Sequence, residues 1–231
     1  MRLHNFFIEQ KIGDESLVAI SDSDLIHQWR HVFRFNTGSF VILFDNSGFE
    51  FTAQFTTLTY LKAELVILEK RKNKFQPKKE IFLFQAIIKP DKFEWILEKG
   101  TELGVSHFTP VIANRSVGRK MNLARARKII KESAEQSGRG ILPDIAESVS
   151  LEVALSSLPG FAVVFDPSGS VFQNFLLANH DFVSVLIGPE GGWSEQELEL
   201  MREKNISIVS LGTQILRAET AAVAVSSLLL L

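Results

Sequence analysis

Over the first seventy residues, apolar and polar positions alternate in short runs, the two-residue period of half-buried strands. FVILF (40–44) and FEFTAQF (49–55) flank Asp45-Asn46-Ser47-Gly48, a turn-forming tetrad, and together they predict a hairpin. LKAELVILE (61–69) supplies another alternating run. One stretch changes period. Leu25, Trp29, Val32 and Phe33 recur at i, i+4, i+7 and i+8, the apolar stripe of a helix that Ser21 or Asp22 can cap. His27, Arg30, His31 and Arg34 then fall on the opposite face. The predicted N-terminal unit is a small β-barrel or sandwich with one helix.

EKRKNKFQPKKE (69–80), with its lysines and Pro77, marks the boundary, giving domains over 1–72 and 73–231. Beyond it strands alternate with helices. IFLFQAIIK reads as a buried strand. A helix follows from Asp91, with Phe93, Ile96, Leu97 and Leu103 on its apolar face, Trp95 expected in the core and Gly104 at its end. HFTPVIA is the next strand. A basic helix then runs from about Met121 to Ser137, stopped by Gly138. FAVVFD, FVSVLIG and ISIVSLG are further strand-like runs interleaved with helices. The fold class is therefore α/β, a mostly parallel sheet with helices on both faces. The C-terminal AAVAVSSLLLL is apolar all round, which predicts a helix covered on most sides, in the core or at a subunit contact. It is well short of the ~18–20 apolar residues that span a bilayer.

Two segments stand at strand-to-helix junctions, where open α/β sheets bind ligands. The first, LIGPEGG (186–192), puts Gly188, Gly191 and Gly192 around Glu190 and precedes a capping box formed by Ser194 and Glu197. It has neither the lysine and hydroxyl of a P-loop nor the spacing of a dinucleotide fingerprint. The second, LGTQILRAETAA (211–222), sets Arg217, Glu219 and Thr220 ahead of the apolar helix. Arg217 and Glu219 are open to three partners: each other, a ligand, or another subunit. The two segments are expected to form one pocket with two walls.

Composition narrows the chemistry. With no cysteine, thiol catalysis, disulfides and cysteine-ligated metals are excluded. His27 and His31 have a metal-compatible spacing without further ligands at an informative distance, so no metal is expected. MRLHNFFIEQ supplies no secretory h-region, and a cytoplasmic protein is expected, with no membrane association. The net charge of −2 conceals an uneven distribution: 114–139 holds eight Lys or Arg against two Glu. From Gly140 onward there are three basic and eleven acidic residues. Basic patches on a nearly neutral chain favour a polyanionic partner.

HQWRHVFRFNTG, KPDKFEWILEKGTELGV, FTPVIANRSV, ESAEQSGRG, LIGPEGGWSEQELE and LGTQILRAETAA, in this order, resemble the ribosomal RNA small-subunit methyltransferase E family of the SPOUT superfamily. The resemblance spans about His27 to Ala222 and departs around FDPSG and in the N-terminal domain. It implies an S-adenosylmethionine-dependent enzyme methylating N3 of one uridine in small-subunit ribosomal RNA, on the assembled subunit. It further implies a PUA-like RNA-binding N-terminal domain, a homodimer, and a C-terminal trefoil knot, which pattern alone cannot reveal. On that footing the cofactor site comprises Leu186, Ile187, Gly188, Pro189, Glu190 and Gly191 with Leu211, Gly212, Ile215, Leu216, Arg217, Thr220 and Ala221. Arg217, Glu219 and Glu190 are the catalytic candidates. Arg30, His31, Arg34, Arg115, Arg119 and Arg139, with the lysines of 70–79, are the expected RNA contacts. Ribose 2′-O-methylation on the same scaffold, and a non-catalytic ribosome-assembly factor, are the competing readings.

Overall fold

The computed structural model describes residues 3–75, 77–118, 121–173 and 179–231. They form two units, one of Met1–Gln76 with Ala134–Ile141, the other of Pro77–Ser133 with Leu142–Leu231.

The first unit contains strands β1 (Asn5–Phe7), β2 (Leu17–Ile20), β3 (Phe40–Phe44), β4 (Phe49–Leu58) and β5 (Ala63–Lys72), hydrogen-bonded in the order β1-β3-β4-β5-β2. The β3–β4 turn is the predicted tetrad. Asn46 and Gly48 take positive φ there, and the buried Asp45 carboxylate accepts from the backbone N–H groups of Ser47 and Ile12. Helix α1 (Ser23–His27) is capped by Asp22 rather than Ser21 and continues as a π-helical turn, Gln28–Val32. That turn explains a departure from the predicted stripe. With Phe33 N–H bonded to the Gln28 carbonyl, five residues back, the face shifts by one position. Leu25, Ile26 and Trp29 are buried and Phe33 packs on the core, whereas Val32 points to solvent. The basic run is not all linker either. Glu69–Lys72 completes β5, where Lys70 pairs with Asp14 and Arg71 with Glu50.

The second unit is a wholly parallel sheet in the order β12-β10-β11-β6-β7-β8, built from β6 (Glu80–Ala86), β7 (His107–Ile112), β8 (Asp144–Ile145), β10 (Phe161–Val171), β11 (Phe182–Ile187) and β12 (Ser207–Ser210). The short β9 (Val149–Ser150) also pairs with β7. Alternate side chains of each strand enter different cores. Ile81, Leu83, Val185 and Ile187 pack with α2 (Pro90–Leu103), α3 (Leu123–Ser137) and α6 (Ala218–Leu230). Phe84, Ala86, Val164 and Leu186 pack with α4 (Leu151–Ser156) and α5 (Glu195–Glu203). Helices thus cover both faces, and each large buried side chain contributes about 1.5–3 kcal/mol. Among the described residues, no helix is long and apolar enough to cross a membrane. Because β11 and β12 are parallel and flank β10, the segments that follow them leave the same edge of the sheet.

Candidate active site

Four groups brace the glycine loop after β11. Gln85, fully buried at the end of β6, donates its Nε2 to the Ala86 carbonyl and, at 3.4 Å, to that of Gly188. Trp193 packs under the loop; a Cβ on Gly188 would come within 3.1 Å of its indole nitrogen, a tight approach that the indole would have to yield to. Arg115 donates to the Gly191 carbonyl at 2.7 Å. Glu190 turns back to the start of α2, accepting at 3.3 Å from the Lys89 N–H, where the helix dipole favours a carboxylate. Behind the loop, the buried Glu197 completes the predicted capping box with Ser194 and also accepts from Asn114 N–H at 2.8 Å.

The segment after β12 is built differently. From Leu211 to Leu216 the backbone has no hydrogen-bond partner among the described residues. Ile215 is 85% exposed, and Gly212, at φ 132°, presents no side chain. Arg217 takes the N-cap position of α6 without a capping side chain, leaving the first N–H groups of that helix unsatisfied. Glu219, only 8% exposed, is not ion-paired with Arg217 among the described residues, although each was open to the other.

Ile187 from the first segment and Leu211, Ala218, Ala221 and Ala222 from the second share one apolar cluster, so the bases of the two segments converge. Their rims part. A hollow of about 500 Å³ is lined by Ile215, Leu216, Arg217, Glu219 and Thr220, and its other wall is Asp91, Lys92 and Trp95 of α2. The glycine loop is not in its lining; Glu190 and Lys89 tie that loop to the start of the α2 wall instead. Trp95 is therefore not core but 39% exposed. Its position two residues after Phe93 lies off the stripe of Phe93, Ile96, Leu97 and Gly100, a signal already in the sequence. Gln85 and Lys89 at the glycine loop, and Asp91, Lys92 and Trp95 in the hollow, are the neighbours of the two segments that motif reasoning missed. A glutamine in an otherwise apolar strand was the available clue to the first.

The expected RNA contacts scatter. Arg30, His31 and Arg34 lie at the end of the α1 region, His31 and Arg34 exposed. Arg115 holds the glycine loop. Arg139 is buried at 3% exposure, and desolvation lowers its pKa to about 10, so it presents no surface guanidinium. Arg119 lies outside the described residues.

The family described as RNA methyltransferase domain matches residues 75–230, which takes in all of the parallel-sheet unit but Leu231. Over 238 residues the chain is 30% identical to ribosomal RNA small subunit methyltransferase E of Bacillus subtilis, covering 95% of this chain and 93% of that protein. The chain belongs to the ribosomal RNA small subunit methyltransferase E family. The Rickettsia conorii member is 29% identical, covering 96% of this chain and 93% of its own. The Neisseria gonorrhoeae member, solved with bound S-adenosyl methionine, superposes with a TM-score of 0.91 at 28% identity, over 98% of this chain and 96% of that one. Both units of this chain are thus found in a solved relative.

Proposed function

We propose that this protein transfers a methyl group from S-adenosylmethionine to N3 of a uridine in small-subunit ribosomal RNA, acting on the assembled 30S subunit. The observation that carries the reading is the family match over 75–230 with both family segments, LIGPEGG and LGTQILRAETAA, rooted in one apolar cluster. The backbone from Leu211 to Leu216, without hydrogen-bond partners among the described residues, and Gly212, which carries no side chain, suit an adenosyl group held through main-chain contacts. In this reading the ligand also reaches Leu186 to Gly191, whose base shares an apolar cluster with Leu211, and Thr220 and Ala221 close the site. Leu186 contributes through its backbone, since its side chain belongs to the opposite core.

S-adenosylmethionine supplies an electrophilic methyl group on a sulfonium centre. The chain's task is positioning, which contributes about 7–11 kcal/mol in favourable cases. Arg217, exposed at the N-terminus of α6, favours the negative charge that builds on the uracil oxygens as N3 loses its proton. Of the two carboxylates, Glu219 lines the same hollow as Arg217, whereas Glu190 is bonded to Lys89 N–H. Glu219 is accordingly the proton acceptor in this reading, and Glu190 braces the loop. N3 is hidden in a duplex, so the target uridine is unpaired or flipped out.

The same reading includes a homodimer, a trefoil knot, a PUA-like RNA-binding barrel over 1–72 joined to a methyltransferase domain over 73–231, and a cytoplasmic location with the ribosome. Supporting the dimer, α6 leaves Leu228 half exposed near its end, and the segment before the helix exposes Ile215 and Leu216. Supporting the knot, the chain passes from β11 across β10 to β12, then returns as α6 to pack against β11 and α2. The test is a methylation assay on small subunits from a strain lacking this enzyme, with the product identified by nucleoside mass analysis. N3-methyluridine is expected; a 2′-O-methylated nucleoside, or no transfer by protein that binds the cofactor, would overturn the assignment.

A further inference from the structure

Within the first unit, the residues that end the α1 region enclose a second hollow, of about 450 Å³, lined by Arg30, Arg34, Phe35, Asn36, Thr37 and Leu58. It contains two guanidinium groups and no carboxylate. Arg30 donates one N–H to the Leu58 carbonyl at 3.1 Å, while its buried Nε has no hydrogen-bond partner among the described residues. Arg34 forms no ion pair among the described residues. Its backbone is left-handed, φ 56°, at a helix end where glycine or asparagine is the usual occupant. The arginine side chain therefore sits at a strained position, and no hydrogen bond or ion pair of its guanidinium among the described residues offsets the strain.

Rings stand beside these cations. The Arg30 guanidinium lies 3.7 Å from the centroid of Tyr60, whose ring is 73% exposed in the β4–β5 turn. His31 is 6.3 Å from Tyr60 and 4.6 Å from His27, and both histidines are exposed. Exposed rings interleaved with guanidinium groups are the means by which proteins grip unpaired nucleotides, base on ring and phosphate on cation. Arginine also binds a phosphate through two donors at once.

We propose that this hollow seats a phosphodiester of single-stranded RNA between Arg30 and Arg34, with the neighbouring base stacked on Tyr60. The inference rests on the reading of the protein as an RNA-modifying enzyme and names where its N-terminal unit holds the strand. Arg30, already aligned by Tyr60 and the Leu58 carbonyl, is the preorganised half of the clamp; Arg34 is the half reserved for the ligand.

Fluorescence anisotropy of the full chain with a short single-stranded RNA, and with a duplex of the same sequence, across a KCl series tests this. Tyr60→Ala is expected to weaken single-strand binding by about tenfold and leave duplex binding unchanged, with Tyr60→Phe close to wild type. Arg34→Gly removes the guanidinium and relieves the left-handed strain, so its thermal midpoint should hold or rise. Its single-strand affinity should fall, and the logarithmic salt slope should decrease by about 0.7. Cofactor binding by calorimetry should be the same in all three variants. Wild-type affinity and slope in both Tyr60→Ala and Arg34→Gly, or an equal loss on duplex, would overturn the clamp while leaving the methyltransferase reading intact. Failure of the wild-type chain to bind either cofactor or RNA would overturn that reading as well.

Discussion

The two segments that leave the sheet edge after β11 and β12 are held in opposite ways. The glycine loop is over-determined: Gln85, Arg115, Trp193 and the Glu190–Lys89 contact each constrain it. The stretch from Leu211 to Leu216 has no internal hydrogen bond among the described residues and exposes its side chains from Thr213 onward. A braced loop and a segment with unused backbone groups, rooted in one apolar cluster, suit a ligand that completes the second while resting on the first. Preorganisation on one side limits what binding must order on the other.

Substitutions can break this contrast, and they rank by expected size. Arg217→Ala should lower turnover on small subunits by about 10²–10³ with cofactor affinity nearly unchanged, since its interaction is made with charge that develops during the reaction. Weakened cofactor binding with turnover preserved at saturating cofactor would show that it belongs to the ground-state site instead. Gly188→Val, which forces a side chain into Trp193, should destabilise the protein by about 1–3 kcal/mol and abolish cofactor binding. A thermal melt together with calorimetry reads both.

Glu197→Ala leaves Asn114 N–H and the Ser194 cap without their acceptor and should cost about 1–3 kcal/mol in a urea titration. Arg115→Ala removes a single brace and should weaken the cofactor by about fivefold, corresponding to roughly 1 kcal/mol. At the lower end, Gln214→Ala in the unpaired segment should stay within about 0.5 kcal/mol of wild-type stability. A larger loss there would mean that the segment is held by its own packing, and the contrast would fail.

Much of this arrangement was legible in the chain. The capping box at Ser194, the turn at 45–48, the end of α2 at Gly104 and the alternation of strands and helices follow from local rules, and each appears as read. Val32 leaves the predicted stripe because a π turn, which depends on how the helix end is packed, shifts the face by one residue. Trp95 was assigned to the core although its spacing excluded it. Arg139 looked like surface charge because charge counts carry no information about burial.

By itself the sequence determined the class of fold, the two strand-to-helix segments and the family, because periodicity, capping and glycine placement act over a few residues. Tertiary structure alone decided which groups face which. It set α2 opposite Arg217, turned Glu190 toward Lys89, assigned Arg115 to a carbonyl and aligned Arg30 with Tyr60. Those pairings join residues from about 30 to more than 100 positions apart. Such contacts arise from sheet order and the packing of whole helices, which no local window of the chain encodes.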